Sequence, residues 1–138
     1  MCPADGANTA YPGNDAAQNT HRDCPGNQPR HDACPGLVVN VPLQDFTVLN
    51  GATRVFLGTH LLRGLPADVA ALGTEARVVA SKGDLILRDL RLAHGGMPNR
   101  SSEIRTMLAM VHTTAQYRGG DETAFKGFEA EQGEKLTA

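Results

Sequence analysis

Residues 37–46 read LVVNVPLQDF, the first stretch of the chain with a dense set of aliphatic side chains. Successive side chains of a strand point to opposite faces, so Val39, Val41 and Leu43 share one face of a predicted strand. Pro42 has no N–H to donate to a sheet ladder, which favours a sheet edge or a bulge at that residue. The stretch therefore predicts β structure.

Further short apolar segments follow, and each is ended by turn residues. Strands are predicted over 53–57, 76–80, 85–88 and 104–113, and a short helix over 66–72. Asn50-Gly51 and Lys82-Gly83-Asp84 are turn signals between these segments. Short strands separated by turns every ~8–12 residues indicate an all-β sandwich or barrel.

The apolar side chains are unevenly distributed along the chain. Residues 1–36 contain no Val, Leu, Ile or Phe, but they contain five of the eight prolines and all three cysteines. Such a segment cannot bury enough apolar surface to form a core alone. We therefore divide the chain into an irregular arm at 1–36, a β core at 37–117 and a polar tail at 118–138.

Length and composition exclude several classes of protein. A chain of 138 residues fits one domain, and its net charge of −2 argues against a general nucleic-acid binder. The longest apolar run, 107–111, is far shorter than the ~20 residues of a membrane span. No signal peptide or peroxisomal tripeptide is visible, which predicts a cytoplasmic protein with no membrane partner.

The sequence His21-Arg22-Asp23 is the first candidate for chemistry. In an extended chain, residues two apart face the same side, so the imidazole and the carboxylate would converge. With one more histidine from a distant strand, the set would bind one face of Fe(II) and leave positions open. A His-x-Asp sequence is also common by chance, and an ordinary surface loop is the alternative.

His94 is the second candidate, because it closes a short segment and is followed by Gly95 and Gly96. Glycines lack a Cβ atom and let another group approach closely, which suits a metal with a bound ligand. The alternative is a half-buried histidine beside an ordinary turn.

Arg105 is the third candidate, and it lies in the last predicted strand. Alternation puts it on the same face as Met107, Ala109 and Val111. A guanidinium on an apolar face needs an anionic partner, which a dicarboxylate would supply through a bidentate pair. The alternative is an arginine that points into solvent at the loop end of the strand.

Four blocks of sequence in a fixed order are more specific than any one of these motifs. The blocks are Tyr11-Pro12-Gly13 with Gln18 and His21-Arg22-Asp23; Asn50-Gly51-Ala52-Thr53-Arg54-Val55 with Gly58-Thr59-His60; Gly83-Asp84-Leu85; and His94-Gly95-Gly96 with Asn99-Arg100-Ser101 and Arg105. With these blocks, the chain resembles the phytanoyl-CoA dioxygenase (PhyH) family of Fe(II)/2-oxoglutarate-dependent oxygenases from about Tyr11 to His112. Its motifs are most similar to those of fungal members that act on secondary metabolites.

The resemblance implies a fold, a site and an activity. The fold would be a double-stranded β-helix of the jelly-roll or cupin-like type. His21, Asp23 and His94 would bind Fe(II), Arg105 would hold the distal carboxylate of 2-oxoglutarate, and Gln18 would lie near this co-substrate. The activity would be that of a dioxygenase that uses O₂ to oxidise a small organic molecule, while the Gly58-Thr59-His60 block would be structural.

The chain departs from the family in length. Family domains are longer, and this sequence begins almost at the strand that would carry the first metal ligand. We therefore expect a short or truncated member whose β-helix is incomplete at the N-terminus. An inactive relic, or a binding module on the same fold, is the alternative function.

A small zinc-binding protein is the second alternative. His21, Cys24, His31 and Cys34 have spacings of three, seven and three residues, and tetrahedral zinc prefers such ligands. That ligand set would leave Asp23 without a role.

Overall fold

The chain folds into short antiparallel strands joined by turns. In a computed structural model, residues 6–13, 15–23, 34 and 36–113 are described. The strands are β1 (Gly6–Ala10), β2 (Gly36–Pro42), β3 (Arg54–Phe56), β4 (Glu75–Arg77), β5 (Ile86–Asp89), β6 (His94–Gly95) and β7 (Arg105–Thr113). This confirms the predicted all-β class.

The strands form two sheets. One has the order β1-β7-β2-β5 and the other the order β4-β3-β6, and every pairing is antiparallel. β2 pairs with β7 along its whole length, from Gly36 opposite Thr113 to Pro42 opposite Met107. The edge predicted from Pro42 is therefore wrong: β2 is an inner strand, and the proline is tolerated because it is the last residue.

The two faces of β2 have different surroundings. Val38, Asn40 and Pro42 are buried, whereas Val39 and Val41 are half-buried on the opposite face. Val38 packs against Leu90, with Ala109 and Val111 at the margin. A second cluster beneath the smaller sheet contains Phe56, Leu72 and Ala93.

β1 lies in the arm that was predicted to be irregular. It pairs with β7 from Gly6 opposite Ala109 to Ala10 opposite Arg105. Its sequence, GANTA, has no large aliphatic side chain and no alternation, so the pattern contained no strand signal. Backbone hydrogen bonds to β7 order this edge strand, so residues 6–10 of the arm are regular β structure laid against the core. Residues 114–138, which include the predicted tail, lie outside the described residues.

The Asn50-Gly51 turn is built for close packing. Gly51 has φ +85°, and a Cβ atom there would lie 2.4 Å from the Met97 carbonyl oxygen. Glycine is therefore required both by the backbone angle and by the contact with the 97–98 loop.

The predicted helix at 66–72 is shorter than expected. It is a 3₁₀ turn, Val69–Leu72, and a second one spans Thr59–Leu61. Within the described ranges, no helix is long and apolar enough to cross a membrane.

Candidate metal and co-substrate site

An antiparallel bridge between His21 of the arm and His94 of β6 brings the candidate ligands together. The backbone N–H of His21 donates to the His94 carbonyl at 2.9 Å, and the N–H of His94 donates back to His21 at 3.0 Å. The backbone N–H of Gln18 donates to the Gly96 carbonyl in the same contact. The arm is thereby fixed along β6, and two histidines far apart in sequence become neighbours.

Both imidazoles face one oxygen of Asp23. The His21 Nε2 to Asp23 Oδ1 distance is 3.7 Å, and the His94 Nε2 to Asp23 Oδ1 distance is 3.6 Å. The ring centroids are 4.4 Å apart, and the three candidate ligand atoms lie within 4.8 Å of one another. The structure thus brings together the His-x-Asp pair and the distant histidine.

The far side of each ring determines its tautomer. His21 Nδ1 lies 2.8 Å from the Asn19 carbonyl oxygen, and His94 Nδ1 lies 3.0 Å from that of Leu92. A carbonyl only accepts, so each Nδ1 carries the proton and each Nε2 keeps its lone pair. Three electron-pair donors then converge, and two imidazoles with one carboxylate fit Fe(II).

His94 is held in the neutral form that a metal ligand needs. Its burial, followed by the nearby Arg88 cation, lowers the pKa of His94 to about 4, although the Asp23 carboxylate acts in the opposite direction. The ring therefore carries no proton on Nε2 at neutral pH.

Arg88 is a site residue that the sequence analysis missed. It lies on β5, is only 8% exposed, and its Nη2 donates to Asp23 Oδ2 at 2.5 Å. The sequence around it reads as the end of an apolar segment, with nothing local to indicate an inward-pointing cation. Its partner is 65 residues away, so only the folded chain reveals the pair.

Gln18 fills the space left by Gly96. Its Oε1 accepts a hydrogen bond from the Gly96 N–H at 2.8 Å, and a Cβ atom on Gly96 would lie 2.9 Å from that oxygen. The close approach expected at the glycines is made at Gly96 by the Gln18 side chain. Gln18 also borders the cavity described next.

A cavity of about 310 Å³ opens beside the three candidate ligands. Part of its wall is apolar and comes from Met107, Ala109 and Val111 of β7. Asn40 of β2 and Arg88 add polar groups. The cavity can therefore accept a small molecule that combines apolar and anionic parts.

Arg105 begins β7 on the same face as the cavity-lining side chains. It is 2% exposed, and its guanidinium carbon lies 4.9 Å from the centroid of the Phe46 ring. Burial lowers the pKa of Arg105, yet a guanidinium stays charged in proteins. Its Nε and Nη1 have no hydrogen-bond partner among the described residues, and neither does Asn40 Nδ2. The alternative of a solvent-facing arginine is therefore wrong.

The Gly58-Thr59-His60 block has a structural role. Thr59 is 1% exposed, its hydroxyl donates to the Phe56 carbonyl and accepts from the Ala93 N–H, and its carbonyl accepts from Arg22. His60 is half-buried in the same 3₁₀ turn and is not part of the ligand cluster.

The zinc alternative involves residues that the structure does not describe. Cys24 and His31 lie outside the described residues. Cys34 is exposed, and its Sγ donates to the Gly36 carbonyl.

Comparison with known proteins identifies the family of the chain. The pattern of the phytanoyl-CoA dioxygenase (PhyH) family matches residues 4–107. The chain belongs to the phytanoyl-CoA dioxygenase family. Two similar proteins of Aspergillus calidoustus, named iron/alpha-ketoglutarate-dependent dioxygenases ausO and ausU, are 34% and 36% identical. These matches confirm the family and the fungal resemblance that the motifs indicated.

Structural similarity agrees with this family. AviO1 from Streptomyces viridochromogenes superposes with a TM-score of 0.66 and 28% identity, over 79% of this chain and 48% of that one. The fold of this PhyH-family chain is accordingly the predicted double-stranded β-helix. The alignments with ausO and ausU cover 76% and 78% of this chain, but only 38% of each relative. The chain thus spans about two fifths of the length of these relatives.

Proposed function

We propose that this chain carries the metal and co-substrate site of a non-haem Fe(II)/2-oxoglutarate-dependent dioxygenase. The observation that carries the proposal is the convergence of His21 Nε2, His94 Nε2 and Asp23 Oδ1, with both Nδ1 protons directed at carbonyls. Two named relatives of this kind support the same activity.

Each of the three residues has a defined task. His21 and His94 hold Fe(II) through Nε2, and Asp23 holds it through Oδ1 as the anionic ligand of the set. Iron(II) bound in this way, together with 2-oxoglutarate and O₂, would supply the oxidation of an unactivated C–H bond. The carbonyls of Asn19 and Leu92 keep both rings oriented, which limits reorganisation when metal binds.

The unpartnered donors support an anionic co-substrate. Arg105 is a buried cation whose Nε and Nη1 lack a protein partner in the described chain, and Asn40 Nδ2 is a further donor of this kind. Leaving buried donors without an acceptor is costly, and a carboxylate can accept two parallel hydrogen bonds from a guanidinium. We assign the distal carboxylate of 2-oxoglutarate to Arg105, with Asn40 as a further donor and Gln18 at the cavity margin.

The oxidised substrate is proposed to be a small organic molecule, of the secondary-metabolite class suggested by the fungal relatives. The apolar wall formed by Met107, Ala109 and Val111 would hold its hydrocarbon part and exclude water.

Anaerobic titration with Fe(II) and 2-oxoglutarate tests this proposal. We expect a weak visible charge-transfer band that saturates at one equivalent of each, because the co-substrate must chelate the metal for the band to appear. The variant His94→Ala should lose the band. The matched control His112→Ala should keep it, since His112 is exposed on the other face of the sheet.

Other outcomes favour the alternatives. A folded chain that takes up neither metal nor 2-oxoglutarate would be a relic or a binding module. Stoichiometric zinc that is lost on Cys34→Ser would instead support the zinc protein.

A further inference from the structure

β5 delivers a positive charge into the candidate metal site. Arg88 pairs with Val38 across the β2–β5 ladder, and its side chain is buried beside His94 and Asp23. Its Nη2 donates to Asp23 Oδ2 at 2.5 Å, and its Nη1 lies 3.3 Å from His94 Nδ1. A buried cation this close to a proposed cation site requires an explanation, because the guanidinium and a bound metal ion would repel each other.

The contact with His94 does not explain the position of Arg88. His94 Nδ1 donates its proton to the Leu92 carbonyl at 3.0 Å. A nitrogen that carries a proton in the ring plane has no lone pair there to accept from the guanidinium. The hydrogen bond that orients Arg88 is therefore the one to Asp23.

Arg88 separates the two oxygens of Asp23 by function. Oδ2 accepts the charge-assisted hydrogen bond from Arg88, whereas Oδ1 faces the Nε2 atoms of His21 and His94. A carboxylate can bind a metal through one oxygen or through both, and the choice changes how many positions remain open. An oxygen that accepts a charge-assisted hydrogen bond from a guanidinium is a weaker metal ligand than its partner oxygen, because the donor already engages its electron density.

We propose that Arg88 is a positioning residue that holds Asp23 as a one-oxygen ligand. The inference rests on the proposed function. With three one-point protein ligands, a bound octahedral ion would keep three of its six positions for a two-point co-substrate and O₂. Because Arg88 also neutralises the buried carboxylate, the metal-free chain folds without an unpaired charge at this place.

Water counting on bound Mn(II) tests the role of Arg88. The probe is Mn(II) alone at saturating concentration, and the readout is the proton relaxation rate per bound ion, which counts exchangeable water ligands. We expect about three waters in the wild-type chain and about two in Arg88→Met, a fall of roughly a third, because the released Oδ2 takes one position. A residue that only stabilised the fold would change the melting temperature and leave the water number per bound ion unchanged.

Two further variants sharpen the result. Arg88→Lys retains a cationic donor and should restore much of the wild-type water number. Arg63→Met removes an exposed arginine of the 62–64 loop and should change nothing. If Arg88→Met does not fold, Arg88→Gln replaces it. Its side chain is shorter and neutral, so it cannot form the charge-assisted hydrogen bond to Asp23, and we expect the same loss of one water.

The outcomes separate this inference from the proposed function. Three waters in wild type and three in Arg88→Met or Arg88→Gln would overturn the positioning role and leave the metal site standing. A wild-type chain that binds no Mn(II) and no Fe(II) would overturn both. Two waters in the variants, with recovery in Arg88→Lys, would establish the role.

Discussion

Asp23 serves two different neighbours with its two carboxylate oxygens. Oδ1 faces the two imidazoles, and Oδ2 accepts from Arg88. Truncation of Asp23 would therefore remove a metal ligand and also leave a buried guanidinium without its anion. Breaking a buried pair in this way typically costs about 3–5 kcal/mol of stability. A clean test of the ligand must keep an acceptor in place.

Asp23→Asn meets that requirement. Its amide oxygen can still accept from Arg88, but the neutral side chain is a poor metal ligand, so we expect Mn(II) affinity to fall by at least ~10–100-fold. Titration followed by electron paramagnetic resonance measures the loss. The control Asp68→Asn alters an exposed turn cap and should leave the affinity unchanged. Equal affinities in Asp23→Asn and wild type would remove Asp23 from the site.

Arg105→Met should weaken 2-oxoglutarate binding far more than metal binding. Loss of a charge-assisted pair in a buried position costs on the order of 2–5 kcal/mol, which is roughly a 30-fold or larger loss of affinity. Arg105→Lys should recover part of it, because an ammonium lacks the parallel donors of a guanidinium. Calorimetric titration with Mn(II), followed by titration of the Mn(II)-loaded chain with 2-oxoglutarate, measures the two affinities separately.

Arg100→Ala is the control for Arg105, since Arg100 is exposed in the preceding loop. It should leave co-substrate affinity nearly unchanged. If Arg100→Ala weakened co-substrate binding and Arg105→Met did not, the assignment of the distal carboxylate to Arg105 would be wrong.

The elements that the sequence predicted are those whose own side chains contain the signal. Alternation and apolar content located β3, β5 and β7, and they placed Arg105 on the cavity-facing side of β7. β1 was missed because an edge strand of small polar residues is ordered by its partner's backbone. Arg88 was missed for a similar reason, since its burial depends on Asp23 in a distant segment. The ligand set itself was indicated by family resemblance, because His-x-Asp spacing alone does not distinguish a metal site from a loop.

The turn at Asn50-Gly51 gives a prediction at the level of elements. In Gly51→Ala the new Cβ would meet the Met97 and Pro98 carbonyl oxygens, and the residue would need φ +85°. We expect a loss of about 1–3 kcal/mol in the free energy of unfolding. Urea denaturation measures it. Gly64→Ala is the matched control, because nothing lies within 4 Å of its added Cβ and its φ is not positive. Equal stabilities of the two variants would contradict the close packing.

At the scale of the whole molecule, the outer face of the larger sheet is strongly apolar. Leu37, Leu87 and Leu108 point away from the cavity and are 40%, 65% and 41% exposed. Register places Val39 beside Leu87 and Val41 beside Leu108, so these side chains are neighbours. Exposed apolar groups gathered on one face favour association.

We expect the 138-residue chain to self-associate, and the double variant Leu87→Lys/Leu108→Lys to shift it towards the monomer. Sedimentation velocity at several concentrations measures the change. The control Leu57→Lys changes a leucine whose exposure, 55%, lies between those of Leu108 and Leu87 but which lies outside this sheet, and it should retain the association. A wild-type chain that sediments as a monomer throughout would contradict the prediction.

The backbone contact between His21 and His94 makes the proposed metal centre a removable cross-link. A bound ion would join residues 21 and 94, closing a loop of 94 − 21 = 73 residues, much as a disulfide does. In chain-entropy terms a permanent link of that length is worth roughly 4 kcal/mol. The link is reversible, so its contribution would rise and fall with free metal, by about 2.7 kcal/mol at a hundred times the dissociation constant. Chelation would act on this chain as reduction acts on a disulfide-bonded one, loosening the attachment of residues 18–23 to β6 before any strand of the larger sheet separates.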